Sequence, residues 1–315
     1  MVQHAPEQKL VLSLDIGYQN VKALVTEAQA ENIFCHHAAV LEIPRSEGNT
    51  SLGDFIEVLK TQLAPWKFDT RHVRVSLSGD SVTVRFIQVP NITKPQLLAN
   101  ISYESSKYIP FPLKDTYFDC DVFPPHGGTQ EKTTAVIAAA KRDAVADVAK
   151  ILHGMGFSAE LLDVSPVAMF NAFEALGNGA AEKGSTFAIL DVGSKKSHLC
   201  IIQEDTPAFA RDLDVGSAAM PEETFRPLAD AIGDSLRFFE AQHGPTSTGI
   251  YAAGGGAMMD GLASHLQQML DIPIWLWNPF ENPKIVLAED VAACKPLGPI
   301  FAVCLGLATR NGVPA

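Results

Sequence analysis

LVLSLDIGYQNVKALVTE, residues 10–27, decides how the chain is read. Val11, Leu12, Leu14 and Ile16 form a short, mostly branched apolar run, as a buried strand requires. Asp15, Gly17, Tyr18, Gln19 and Asn20 interrupt that run with turn chemistry, and 21–25 resumes it, so the stretch reads as a β-hairpin. A carboxylate at the end of a buried strand is costly to desolvate unless it meets a cation or hydrogen-bond donors. A glycine close behind it lets backbone N–H groups approach an anion. Together they suggest a Mg²⁺–phosphate site, although an ordinary edge turn gives the same composition more often.

A second copy adds weight. TFAILDVGSKKSHLCII, residues 186–202, again runs from an apolar strand through Asp191, Val192 and Gly193 into polar turn residues and another strand. The frame D-[IV]-G-x-x-x-[VS] thus occurs twice, about half the chain apart, as two similar half-domains would produce it. Two such hairpins facing each other would clasp a phosphate chain and its metal. A third piece, YAAGGGAMMDGL at 251–262, reads as a strand entering three glycines and then a helix. That junction can lie flat against a nucleotide with a helix N-terminus aimed at it. Tight packing of strand on helix also needs glycine. The order of the three pieces favours a nucleotide-type fold.

The 315 residues suit one large or two medium domains, and 47% apolar with 19% charged residues is a globular composition. A net charge of −12 argues against nonspecific binding to nucleic acid or anionic lipid. Cys35, Cys120, Cys200, Cys294 and Cys304 show no metal-type spacing, and Cys200 and Cys304, in apolar runs, read as buried reduced thiols, which fits a reducing cytoplasm. Residues 1–9 lack a signal-peptide core. No apolar run reaches the length of about 18 residues that suggests a membrane span, so membrane association is expected through a partner.

Three strands are expected within 11–41, then a helix at 54–63 and strands at 73–77 and 82–89. The segment 90–163 reads as an inserted α-β-β-α-β subdomain ending in a strand at 157–162. Inside it, Ile109-Pro110-Phe111-Pro112-Leu113 is held rigid by two prolines. Phe111 there is either a plug on the subdomain core, the commoner case, or a contact for a partner peptide. A crossover helix follows at 164–176, with Asp163 read as a cap near its start, and then a small-residue hinge at 177–184. Strands at 186–191, 197–202 and 207–211 repeat the opening of the chain. Phe225, Leu228, Ile232, Leu236 and Phe239 mark the core stripe of a helix at 222–242. A helix at 258–270, a strand at 274–277 with Trp275 and Trp277 on one face, and an apolar helix at 299–309 complete the chain.

On these motifs the chain resembles the actin-like ATPase superfamily, whose fold is α/β and ribonuclease H-like. Within it the chain resembles the type IV pilus assembly protein PilM family. The first hairpin is similar to the phosphate-1 loop, 191–197 to phosphate-2, and 253–262 to the adenosine-side glycine motif. IPFPL at 109–113, Asn278-Pro279-Phe280 and GPIFAVCLGLATR at 298–310 are closer to PilM itself. The cell-division relative FtsA fits less well, because it ends in an amphipathic membrane helix, whereas only 311–315 follow the last helix here. The resemblance implies a duplicated two-lobe fold: a first lobe at 1–89, the insertion at 90–163, the crossover at 164–176, a second lobe at 177–298 and a terminal helix at 299–315. It implies a cytoplasmic protein, peripheral at the inner membrane, that binds the N-terminal tail of a PilN-like protein at the inserted subdomain, with Ile109 and Phe111 as contacts. Other pilus assembly or motor proteins are further implied partners.

It also implies ATP and Mg²⁺. Asp15 and Asp191 would organise the metal through its waters. Gly17, Tyr18, Gln19 and Lys22 would serve one phosphate side, Gly193, Ser194 and Lys195 the other, and Gly254, Gly255 and Gly256 the adenosine. The chain departs from the pattern at three places. Tyr18, Gln19 and Asn20 replace small hydroxyl residues. Lys195 and Lys196 replace small residues, either to neutralise a phosphate or to pair with Asp15 or Asp191 in place of the metal. Where relatives carry extra helices after Gly216, only 217–221 remains, a reduced second-lobe subdomain that leaves one cleft wall missing. The expectation is a scaffold with weak or absent ATP binding and no identified general base; the alternative is an active, nucleotide-switched ATPase. A small-molecule kinase would need a sugar pocket and a catalytic Asp that the sequence does not display.

Overall fold

A computed structural model describes residues 10–43, 52–67, 70, 72–123, 132–177, 185–220, 225–244 and 249–310. The expected leader-free N-terminus at 1–9, most of the hinge at 177–184 and the tail at 311–315 lie outside the described residues. In chain order the elements are β1 Leu10–Ile16, β2 Asn20–Gln29, β3 Asn32–Glu42, α1 Leu52–Leu63, β4 His72–Leu77, β5 Val82–Pro90 and α2 Lys94–Glu104. Then come β6 Thr116–Val122, β7 Lys132–Lys141, α3 Arg142–Gly154, β8 Ala159–Val164, α4 Ser165–Leu176, β9 Thr186–Val192, β10 Ser197–Gln203 and β11 Thr206–Leu213. The chain closes with α5 Arg226–His243, β12 Ile250–Ala253, α6 Leu262–Leu270, β13 Ile274–Leu276, β14 Ile285–Leu287 and α7 Ala302–Thr309.

Contacts divide these elements into two compact units. The first, Met1–Leu77 with Ala146–Gly177 and Asn278–Ala315, holds a six-stranded sheet in the order β14-β3-β2-β1-β4-β8. The second, Ser78–Val145 with Asn178–Trp277, holds a five-stranded sheet in the order β11-β10-β9-β12-β13 and a three-stranded sheet β5-β7-β6. In both large sheets three antiparallel strands lead into two strands parallel to the first. The duplication legible in the two hairpins is therefore a duplication of whole sheets. Asp15 stands opposite Lys22 and Ser76, and Asp191 opposite His198 and Ala253.

One of these strands is grouped otherwise in the sequence reading, and another has no counterpart there. β8, grouped above with the insertion, pairs in parallel with β4 in the six-stranded sheet. Parallel pairing joins strands that are distant in sequence, so no local pattern reveals it. β14, three residues paired with β3, is too short to show any period.

Strands that are covered on both faces read as continuous apolar runs, and β1 follows this with Leu12 and Leu14 fully buried. α4 and α7 pack together at backbone contact: a Cβ on Gly306 would lie 1.7 Å from the Ala168 carbonyl oxygen. The end of α7 is secured by the buried Arg74, whose Nη1 donates to the carbonyls of Leu307, Ala308 and Arg310. These are carbonyls that a helix end leaves without intrahelical partners. Among the described residues, Glu289–Thr309 is long and apolar enough to cross a membrane by length and composition. It is not an unbroken apolar run, since it holds Glu289, Asp290 and Lys295, and Phe301 to Leu307 are buried in the first unit. It is 3₁₀ in form through Phe301, where Pro296 and Pro299 deny α-type bonding, and α-helical only from Ala302.

In the second unit Leu228, Ile232, Leu236 and Phe239 of α5 are buried, as the stripe predicts. The expected helix start at 222 falls in 221–224, outside the described residues. Trp275 and Trp277 do not share a setting. β13 ends at Leu276, which leaves Trp275 42% exposed over Tyr251 while Trp277 is buried at 2%. The three-stranded sheet carries α2 and a core of Leu97, Ile101, Ile109, Cys120, Ala135 and Ile137.

Gly306→Ala should destabilise the chain by about 1–3 kcal/mol or more, because neither helix backbone can yield to the added methyl. A denaturant midpoint unchanged from that of the unsubstituted chain would contradict this packing.

Candidate functional site

Asp15 lies one residue from the end of β1 and is 6% exposed. Its Oδ2 is 3.0 Å from Lys22 Nζ, the residue opposite it on β2. Gly17 explains how the lysine reaches it, since a Cβ there would lie 3.0 Å from both Lys22 Nζ and the Asn20 carbonyl oxygen. The Gly17 N–H donates to that carbonyl at 3.0 Å and closes the turn around Tyr18 and Gln19. Tyr18 is 52% exposed. Further along the same cross-strand row, Asp163 forms an ion pair with Arg310 and accepts from the Val164 N–H at 2.8 Å. Its expected capping role is not seen: the position before α4 is Val164, which has no side-chain cap, because Arg310 draws the carboxylate away.

The β9–β10 turn is closed by its own chain. Ser217 and Ala218 donate their N–H groups to the carbonyls of Gly193 and Ser194, both at 2.9 Å. Gly216 lies so near that a Cβ would be 2.4 Å from the Ser194 oxygen and the Lys195 carbonyl carbon. The short connection that replaces the expected helices is thus folded onto the loop. Ser194, a predicted phosphate ligand, has its Oγ buried with no hydrogen-bond partner among the described residues. Lys195 and Lys196 both reach Asp80, and Lys196 also reaches Asp214.

The three glycines divide by role. Gly254 has φ +84°, and a Cβ there would meet Asp191 Oδ1 at 2.3 Å; one on Gly256 would meet Val192 Cγ1 at 2.5 Å. Both hold the backbone against the end of β9, which is the packing alternative named above. Gly255 is exposed with open space beside it. α6 does not start behind the glycines, as the sequence suggested, but at Leu262 after a 3₁₀ turn and Gly261 at φ +78°.

His198 is a functional-looking residue that the motif reading missed. It lies in register between Asp191 on β9 and Asp212 on β11, with Nδ1 2.8 Å from Asp212 Oδ1. Burial opposes its positive charge, but the hydrogen bond to Asp212 and the charges of Asp191 and Asp212 outweigh burial and raise its pKa. Burial likewise works against the Asp212 carboxylate, and His198, Arg85 and Lys196 hold it below the usual range. The signal in the sequence was positional: His198 in the second copy occupies the place of Lys22 in the first.

In a Mg²⁺–phosphate site, carboxylates hold the cation and loop amides face the anion. The residues here do not fit that group well. Asp15 is engaged by Lys22, the Gly17 N–H by Asn20, and the carbonyls of Gly193 and Ser194 by the N–H groups of Ser217 and Ala218. Among the described residues no group of three or more His, Cys, Asp or Glu could hold a metal ion.

Two sheets that share a five-strand order, to which β14 adds a sixth strand in the first, each opened by an Asp-x-Gly hairpin, place the chain in the actin-like class of α/β proteins. A Bacteroides thetaiotaomicron protein with actin-like ATPase fold matches with TM-score 0.50 and 7% identity, over 96% of this chain and 99% of the other. The family of type IV pilus assembly protein PilM matches residues 13–228, more than half of the sequence, and the chain belongs to that family. A chain of a PilM-PilN type IV pilus biogenesis complex is similar at 28% identity and TM-score 0.80, over 96% of this chain and 99% of that one.

Lys22→Met should cost about 3–5 kcal/mol, because it leaves Asp15 buried without its partner, and Asp15→Asn in the same chain should restore much of the loss. Equal melting of the single and double variants would refute a structural ion pair. His198 has a raised folded pKa, so its stabilising contribution is full below the unfolded value near 6.5 and fades as pH rises through the folded pKa. Stability followed by urea denaturation should therefore decline as pH rises above the unfolded value near 6.5, and His198→Asn should flatten that decline.

Proposed function

We propose that the chain is a scaffold of the type IV pilus machinery that binds the N-terminal tail of a PilN-like inner-membrane protein. The observation that carries this reading is the near end-to-end likeness to a chain of a PilM-PilN complex, at 28% identity. The scaffold would sit on the cytoplasmic face and reach the membrane through that partner. The three-stranded sheet supports the reading physically, because β6 is an edge strand and an extended tail can add to an edge by backbone pairing. Phe111 is partly buried with Lys141 Nζ 4.9 Å above its ring, and suits a side-chain pocket at that subdomain. Ile109, 2% exposed, holds the segment from beneath instead of offering surface.

ATP and Mg²⁺ bind weakly or not at all in this reading. Asp15, engaged by Lys22, and the Gly17 N–H, engaged by Asn20, support it. The alternative, a nucleotide-switched ATPase, keeps the same fold and differs in turnover.

Fluorescence anisotropy with a PilN-type tail peptide tests the scaffold. Phe111→Ala should weaken binding roughly tenfold, the loss of a central aromatic contact of more than about 1 kcal/mol. Mg-ATP should leave the melting temperature unchanged where saturating peptide raises it. Steady phosphate release abolished by Asp15→Ala would establish the ATPase instead.

A further inference from the structure

The first unit holds a pocket that takes no part in the hairpins. Lys60, Leu63, Ala64 and Lys67 line it from the end of α1 and the turn after it, and Met155 and Phe157 from the connection between α3 and β8. The cavity measures about 220 Å³. Both segments lead into strands, β4 and β8, that run parallel to β1. The pocket therefore lies where those strands begin, at the opposite end of the sheet from Asp15 and Asp163, which stand near where β1 and β8 finish.

The chain itself fixes the walls. α3 ends at Gly156, whose φ of +84° turns the backbone. The Phe157 N–H then reaches the Leu152 carbonyl at 2.8 Å, and the Gly156 N–H that of His153 at 2.9 Å. That reversal brings Met155 and Phe157, both half-buried, onto the pocket. On the other side Ala64–Trp66 form a 3₁₀ turn, held by the stack of Trp66 on His37 at 5.1 Å. The turn ends in Lys67 at φ +46°, left-handed backbone that residues other than glycine seldom adopt. Such outliers persist where the surroundings impose them, and they gather at ligand sites.

The lining selects the occupant. Leu63, Ala64, Met155 and Phe157 give an apolar floor. Lys60 is already paired with Glu57 at 2.9 Å, so it contributes its aliphatic stem more than its charge. Lys67 is exposed and has no ion partner among the described residues. Sites for whole small molecules measure roughly 300–1,000 Å³, so this smaller one suits a single large side chain. A methionine sulfur in the lining favours an aromatic ring. We infer that this pocket is a docking point for an acidic segment of another protein, which seats one aromatic side chain against Met155 and Phe157 and pairs a neighbouring carboxylate with Lys67. The net charge of −12 repels such a segment from most of the surface, so Lys67 sets where it docks. The inference is independent of the tail-binding and nucleotide readings: the lining belongs wholly to the first unit, and the three-stranded sheet to the second.

Nuclear magnetic resonance of the full chain with isotope-labelled methionine methyl groups tests the site, with the Met155 signal assigned by Met155→Leu. The probe is the acetylated, amidated peptide Gly-Glu-Asp-Phe-Glu-Asp-Gly. It should shift the Met155 signal saturably, and replacing its Phe by Ala should weaken binding roughly tenfold. Lys67→Glu should weaken binding about three- to tenfold. Ala64→Phe, at an exposed position, fills the cavity and should abolish binding, while the other methionine signals stay in place and show that the fold is kept. Excess PilN-type tail peptide should not displace the probe. No saturable Met155 shift, equal binding of the Ala peptide or of a peptide with Lys in place of its acids, binding that survives Ala64→Phe, or displacement by the tail peptide overturns the proposal. Binding seen only after Phe68→Ala would mean that the chain fills the pocket itself, and overturns it too.

Discussion

A carboxylate at the end of a buried strand has to be neutralised, and much of this chain's local architecture follows from how that is done. Asp15 is met by Lys22 across the hairpin, and Gly17 is small so that the lysine can arrive. Asp191 lies beside His198, which Asp212 holds from the other side. Asp163 is met by Arg310, which ties the end of α7 into the sheet. Isolated charges in such settings would cost several kcal/mol each. The same strand ends that could have organised a metal are instead braced by side chains of the chain itself.

The second consequence is closure. A loop that holds an anion needs outward N–H groups and room before them. Here the carbonyls of Gly193 and Ser194 accept from the N–H groups of Ser217 and Ala218, which fixes the turn against the 216–218 connection. Gly254 and Gly256 are spent on packing against Asp191 and Val192. These are the contacts of a framework.

Much of the fold was legible along the chain. Both hairpins, the α5 stripe and the strands β5 to β7 show apolar periods long enough to be read locally. The duplication was visible because its two copies keep acid and glycine at the same spacing. The site was legible in place but not in use. Asp15, Asp191 and the glycines are where the motifs put them, yet what each side chain touches depends on residues far away in sequence: Asp80 for Lys195, Gly216 for Ser194, Arg310 for Asp163. His198 escaped notice because a lone histidine on a strand carries no motif, and only strand register sets it between two carboxylates.

The sequence by itself determined the class, because alternation, glycine placement and internal repetition are local and survive in one dimension. It also marked Asp15 and Asp191 as residues that need an answering charge, since burial at a strand end follows from the flanking apolar run. Tertiary structure alone decided which charge answers, which glycines serve packing, and to which sheet β8 and β14 belong. Those outcomes are set by parallel pairing and close backbone approach between segments far apart in the chain, and such contacts leave no periodic trace in the sequence.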